Sequence, residues 1–325
     1  MDDESATSRG RGATAIVSVI IPAFNAADTL GEQLDALQRQ REAPEFELLV
    51  CDNGSTDATT TIAHAWRDRL PQLRLVDASA RRGASAARNY GAAQARSDIL
   101  LFCDADDVVD RNWVQIMAAA TSEHGFVAGL TEHALLNPHA AWDGGWVEPA
   151  YREGFLPWLP AAGSGNLGIR AEIFTAVGGF DETRPSGEDA DLSWRVQLAG
   201  YPLHQEWGGV VHVRKREGFR ATFRQGFLKG VAVHQLEHDY AQVASAFRKA
   251  AFAVRRTDSE PAPRRAHRFG RLGRMPRRLL RVLRQPSQLL REWGVFASWL
   301  GHRFGPIDRT RPQVASEDVA SFLGN

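Results

Sequence analysis

The segment LLFCDADDVVD, residues 100–110, sets Asp104, Asp106, Asp107 and Asp110 directly behind an apolar run. Carboxylates this close repel, and each raises the pKa of its neighbours. Solvent around an open turn can offset that repulsion, and so can a divalent cation. A hard cation such as Mg2+ or Mn2+ takes oxygen ligands, and Asp104 and Asp106, one residue apart, would share a face of extended backbone. Two other acidic sets stand out. CDNGSTD, residues 51–57, follows a second apolar run; Asp-Asn-Gly suits an Asx-turn, and Asp57 suits a helix cap. GEDADLSWRVQL, residues 187–198, places Glu188, Asp189 and Asp191 where a helix would begin, and acids are favoured there by the dipole.

The elements that must position these groups alternate regularly. AIVSVIIPAFN (15–25) is a continuous apolar run closed by Pro22, as for a strand buried on both faces. DTLGEQLDALQRQ (28–40) carries Leu30, Leu34 and Leu37 at helical spacing, with Asp28 as its expected N-cap. A strand at 46–52, a helix from about 58 to 69, a strand at 73–78, a small-residue helix at 83–95 and a strand from 98 follow. This rhythm predicts an α/β fold with a mostly parallel sheet flanked by helices. Ligands of such sheets bind beyond the carboxyl ends of the strands, and Asn25, Asp52–Asp57 and Asp104–Asp107 all fall at those ends.

Composition narrows the class. The 325 residues are 43% hydrophobic and 24% charged with a formal net charge of zero, so bulk charge does not point to nucleic acid. Three of the 39 basic residues are lysines (Lys215, Lys229 and Lys249), which reads as a GC-rich bacterial genome. Two cysteines, Cys51 and Cys103, end apolar runs and suggest neither a disulfide framework nor a zinc site. Residues 1–13 are polar and read as a disordered tail without an apolar leader core. No apolar run approaches the length of a membrane span, so the expected location is cytoplasmic.

Four segments carry a family resemblance: VSVIIPAFNAADTL, LLVCDNGSTDAT, RRGASAARNYGAAQARSDILLFCDADD and GGFDE with GEDADLSWRVQLAGY. In this order and spacing they resemble the family 2 glycosyltransferases of GT-A fold, over about residues 15–215. The resemblance implies a Rossmann-like domain at 14–220, with a nucleotide-binding half at 14–120 and an acceptor half at 121–220. It implies an inverting transferase that moves a sugar from a nucleotide-diphosphate donor to a hydroxyl of a cell-surface glycan, a glycolipid or a secondary metabolite. A Mg2+ or Mn2+ ion would stabilise the departing diphosphate as a Lewis acid.

Residue by residue, the resemblance assigns the metal to Asp106 and to Asp104, which also contacts the ribose or a metal-bound water. Asp52 would accept the N3–H of a pyrimidine, favouring a UDP or dTDP donor and leaving a guanine donor open. Pro22, Ala23, Asn25 and Asn53 would line the base and ribose. Gly83, opening a helix, would let phosphate approach backbone N–H groups, with Arg88 as its ionic partner. Asp189 would be the catalytic base, with Glu188 beside it raising its pKa or orienting it. His212 matches a histidine that binds metal or diphosphate in relatives, and Arg214, Lys215 and Arg216 could close over the diphosphate. Trp142, Trp146 and Trp158 are candidates for stacking on an acceptor sugar. A non-catalytic nucleotide-sugar-binding protein is the alternative.

Beyond residue 220 the resemblance fades into a helical region at 221–325 with a linker near 255–265. Twelve arginines fall between 255 and 291 against Asp258 and Glu260. A basic amphipathic helix there would either lie on an anionic membrane surface, placing the chain peripherally on the inner face, or dock on the catalytic domain with its arginines outward. No nucleic-acid module accompanies the charge.

Overall fold

The computed structural model describes residues 17–137, 146–215, 218–257 and 289–315, together with 319 and 322. The tail at 1–13, Trp142, Arg216, and residues 258–288 with most of the expected linker and basic helix lie outside the described residues.

The first half alternates as expected: β1 (Val17–Ala23), α1 (Leu30–Gln38), β2 (Phe46–Asp52), α2 (Thr59–Ala65), β3 (Leu73–Asp77), α3 (Ala84–Gln94) and β4 (Ile99–Cys103). Then come β5 (Val108–Val109), α4 (Trp113–His124), β6 (Phe126–Glu132), β7 (Trp146–Val147), β8 (Ala150–Tyr151), β9 (Ala161–Ala162) and β10 (Asn166–Arg170). The chain continues through α5 (Ala171–Ala176), α6 (Glu188–Leu198), β11 (His204–His212), α7 (Phe219–Asp239), α8 (Ala241–Thr257) and α9 (Leu289–Phe304).

The main sheet runs β3-β2-β1-β4-β10-β6-β11-β5, with β7 beside β6. Strands β1, β2, β3, β4, β6 and β11 share one direction, and β5, β7 and β10 oppose them. The sheet is therefore mostly parallel. Its order reverses at β1, since β2 lies on one side and β4 on the other, and ligands of open α/β sheets bind at such a switch point. Both faces are covered. Val17, Val19 and Ile21 of β1 pack with Leu30, Leu34 and Leu37 of α1 and Trp113 of α4. Ile20, Leu49 and Phe102 pack on the other face with Ala87 of α3, Phe174 of α5 and Val196 of α6. Alternate residues of one strand thus enter two cores, which explains runs that are apolar at every position.

Two local expectations change. Helix α1 begins at Leu30 with Thr29 as N-cap, so Asp28 is not the cap. Thr59 Oγ1 and Asp57 instead receive the N–H groups of Ala26 and Ala27, which fastens the β1–α1 loop to the β2–α2 loop. Asp104–Asp107 form a turn after β4, so Asp104 and Asp106 do not meet on extended backbone.

A third core joins α6 to the helical region. Trp194 and Leu198 pack with Leu236 and Tyr240 at the end of α7 and Phe247 of α8. A buried charge cluster pins the same junction. Arg184 reaches Asp239 at 2.6 Å and Asp191 at 3.3 Å. Arg195 also holds Asp191, at 2.7 Å, and the Tyr240 hydroxyl donates to it at 2.9 Å. Removing one member of a buried ionic cluster leaves the others uncompensated, at a cost of about 3–5 kcal/mol. Arg184→Met, which keeps the apolar stem, should therefore lower the unfolding free energy by about 3 kcal/mol or more in urea titration. A loss below about 1 kcal/mol would show that solvent screens the cluster.

Candidate active site

The acidic turn after β4 is braced from three directions. The buried Gln33 of α1 donates to the Asp104 carbonyl at 3.0 Å and accepts from Val109 N–H at 3.0 Å, closing the loop around the turn. Beyond β11, Arg214 N–H donates to Asp107 at 2.9 Å and its Nε to the Asp106 carbonyl at 3.1 Å. At the β9–β10 connection, Gly165 passes so close that a Cβ there would lie 2.7 Å from Asp104 Oδ2. The result is three carboxylate oxygens, from Asp104, Asp106 and Asp107, within 4.8 Å of one another.

Arg88 of α3 lies behind this cluster with a side chain only 4% exposed. Its Nη2 donates to Asp104 at 2.6 Å, and its Nη1 lies 3.4 Å from Glu188, the first residue of α6. Its Nε has no hydrogen-bond partner among the described residues. One guanidinium thus bridges the acidic turn and the Glu188–Asp189 pair. Gly187 makes this geometry possible. It takes φ +80° before α6, a conformation that L side chains rarely adopt, and it lies against Leu236 and Ala232 of α7. The Tyr151 hydroxyl donates to Asp189, whose Oδ1 also accepts the N–H of Ala190 at 2.8 Å.

The β2 end holds the other expected donor-site residues. Asp52 accepts from Gly54 and Ser55 N–H at 3.2–3.3 Å, an Asx-turn. Asn25, exposed and at φ 49°, accepts Thr56 N–H at 2.8 Å, while its own N–H donates to Ser55 Oγ at 2.9 Å. Pro22 and Ala23 close β1 beside Cys51 and Asp52.

A family model for glycosyl transferase family 2 matches residues 18–159, which hold the switch point, Asp52 and the acidic turn. That segment, a little under half of the chain, is thus similar to the family 2 glycosyltransferases. The validoxylamine A glucosyltransferase of Streptomyces hygroscopicus subsp. limoneus is 30% identical over 238 residues, covering 61% of this chain and 52% of that relative. Glycosyltransferase AglE of Haloferax volcanii is 31% identical over 192 residues, covering 58% of this chain and 63% of that one. The chain thus spans only about half the length of the first of these relatives. A mannosyltransferase from Pyrobaculum calidifontis, solved with GDP-Man and Mn2+, superposes with a TM-score of 0.55 at 20% identity, covering 88% of this chain and 87% of that one. The sheet and its flanking helices therefore have the GT-A fold.

Within the domain, several expected site residues have other partners. Asn53 is buried and spends its amide on the β3–α3 loop, donating to the Ala78 and Arg81 carbonyls and accepting Gly83 N–H at 2.7 Å. It positions the loop, and Gly83 stands at the N-terminus of α3 with open space where a Cβ would be. Arg88 is engaged by carboxylates rather than facing an open phosphate site. His212 lies outside the carboxylate cluster: its Nδ1 is 2.9 Å from Glu132 and its Nε2 4.0 Å from Asp110. Trp158 stacks on Phe247 of α8 at 5.5 Å, which makes it core packing.

Sequence reasoning missed Tyr151, Glu153 and Lys229. Burial raises the pKa of Glu153, and the positive charge of Lys229, on α7, opposes this shift at both Glu153 and Asp189. Lys215 lies close enough to Asp107 for each charge to favour the other. Two of the chain's three lysines therefore reach the cleft, and their scarcity among arginines was the available signal.

Burial, then Asp104 and Asp106, push the Asp107 carboxyl from 3.8 up to about 8. A raised folded-state pKa makes ionisation costly, so this group's contribution to stability is full below about pH 4 and falls until about pH 8. Asp107→Asn removes that cost and can still accept from Arg214 N–H. In metal-free buffer its melting temperature relative to wild type should climb steadily from pH 5 to pH 8. A constant difference across that range would show that Asp107 ionises without penalty.

Proposed function

We propose that the domain transfers a sugar from a nucleotide-diphosphate donor to an acceptor hydroxyl with inversion at the anomeric carbon. The observation that carries this reading is the Arg88 bridge, which holds the acidic turn and the Glu188–Asp189 pair at the two ends of one guanidinium. One end suits the donor diphosphate and the other the acceptor.

The three clustered oxygens, and an Asp107 carboxyl left short of positive charge, fit a divalent cation held by Asp104 and Asp106 with Asp107 beside them. When bound, Mg2+ or Mn2+ would stabilise negative charge on the departing diphosphate. His212, fixed by Glu132, is assigned a positioning role at the end of β11. Asp52 is proposed to exchange its Asx-turn contacts for the N3–H of uracil or thymine, with Pro22, Ala23 and Asn25 lining base and ribose. Asn53 holds Gly83 so that the α3 N-terminus faces the phosphates, and Arg88 keeps Asp104 aimed.

Asp189 takes the acceptor proton. Burial raises its pKa, which makes it a stronger base, while the Tyr151 and Ala190 hydrogen bonds limit the rise and fix the carboxylate. The acceptor oxygen then bonds to the anomeric carbon as the carbon–oxygen bond to the diphosphate breaks, leaving the electron pair on phosphate. Glu188, its own pKa raised by burial and by Asp189, is held by Arg88 and orients the pair. The arginines at 255–291 are proposed to draw the chain to anionic lipid, where glycan and lipid-linked acceptors are found. No helix among the described residues is long and apolar enough to cross a membrane.

Asp189→Asn keeps shape but cannot accept a proton at neutral pH. Donor affinity, measured calorimetrically with UDP-, dTDP- and GDP-sugars plus Mn2+, should stay within a few-fold. Transfer should fall by about 10²-fold or more. Near wild-type transfer would remove Asp189 as base, and a wild type that binds donor but never turns it over would establish the binding protein instead. Asp106→Ala should abolish metal-dependent donor binding while leaving the metal-free melting temperature nearly unchanged, because the lost carboxylate relieves repulsion. Undiminished metal-dependent binding would exclude Asp106 as a ligand.

A further inference from the structure

Helices α7 and α9 pack at unusually close range. A Cβ on Gly226 would lie 2.3 Å from the Gly294 carbonyl oxygen, one on Gly230 1.9 Å from that of Ser298, and one on Gly301 2.0 Å from that of Phe227. Small residues at these positions let the two backbones touch, as in helix pairs built for lipid. The pair is therefore a fixed surface, and one edge of it is a ladder of aromatic rings. Phe227 meets Phe223 at 6.3 Å, and Phe223 meets Trp293 at 5.1 Å. Trp293 meets Phe296 at 5.9 Å, Phe296 meets Trp299 at 6.1 Å, and Trp299 meets Phe304 at 5.9 Å.

Three rings of the ladder, Trp293, Trp299 and Phe304, are open to solvent. Trp299 is 45% exposed, Phe304 66%, and the neighbouring Phe219 52%. Scattered exposed apolar residues are ordinary, but a contiguous patch marks an interaction surface. Charge identifies the partner. Arg220 and Arg224, each next in sequence to Phe219 or Phe223, are exposed on α7, and Arg303 lies over Phe304 at 5.2 Å. The chain enters α9 from the run of twelve arginines against two acids at 255–291. Aromatic rings rimmed by arginine suit the headgroup region of a bilayer, where ring bodies enter the acyl boundary and cations meet anionic lipid.

We propose that the aromatic ladder of α7 and α9 is a docking surface for an anionic membrane, seated by ring insertion as well as by charge. The inference rests on the membrane attraction proposed above and adds the surface that inserts. It also fixes the cleft relative to the lipid, because α7 carries both ladder rings and Lys229.

The test uses the full chain and vesicles of phosphatidylglycerol with phosphatidylcholine, with pure phosphatidylcholine as control. Wild type should sediment with the anionic vesicles and retain part of that binding in high salt, which screens the arginines but not ring insertion. The triple variant Phe219→Ser, Trp299→Ser, Phe304→Ser keeps every arginine and should bind at least about 10-fold more weakly, with no residue in high salt. The single Phe304→Ser, at the most exposed ring, should show a smaller loss in the same direction if the triple variant melts early. Binding equal to wild type in both variants overturns the proposal, as does a wild type that ignores anionic vesicles. A lipid-free dimer that the triple variant dissolves also overturns it, by making the face a contact between copies. Donor turnover on the same preparations tests the transferase reading separately, since its loss with vesicle binding intact leaves the docking surface standing.

Discussion

Arg88 is a cation inside the protein, held between carboxylates that come from β4 and α6. A charge withdrawn from water is tolerated only when its partners are close and well aimed, so the positions of Asp104 and Glu188 are not independent. Much of the surrounding architecture serves that constraint. Gln33 and Arg214 fix the turn that carries Asp104, Gly165 leaves it room, and Gly187 turns the chain so that Glu188 starts a helix facing Arg88. The same guanidinium offsets part of the repulsion among the acids, although Asp107 is still driven far from its ordinary pKa. In the proposed reading, a divalent cation would relieve the repulsion that remains.

Much of this was legible in the sequence because strand and helix periodicities are local. Apolar runs marked β1 and β2, and leucines at helical spacing marked α1. The acidic sets were visible because carboxylates cluster in sequence as well as in space. What was not legible depends on contacts between distant residues. Asp104–Asp107 read as extended because spacing alone gives no turn, and the turn is imposed by Gln33 and Arg214. Asn53 read as a ligand contact, yet its amide is consumed by Ala78, Arg81 and Gly83. Tyr151 carries no motif at all; only the folded chain brings it to Asp189.

The helical region raises a different point. The family match ends at residue 159, yet the junction that holds the first turn of α6 is built with Asp239, Tyr240 and Arg311, far beyond it. Leu236 and Ala232 lie against Gly187, and Lys229 reaches the cleft from the same helix. The unit recognised by similarity is thus smaller than the unit that folds around the proposed base.

Gly187 carries that mismatch into the history of such chains. With Leu236 and Ala232 closer than ordinary van der Waals contact to where a Cβ would stand, at 3.0 and 3.2 Å, the glycine fits one particular neighbouring helix. A recombination event that joined the β1–β4 half to a foreign C-terminal region would replace the surface the glycine was shaped against. The β1–β4 half can be inherited and shuffled as a block, but α6 and α7 must change together, so variation around Glu188 and Asp189 should travel with the helical region and not with the segment that matches the family model.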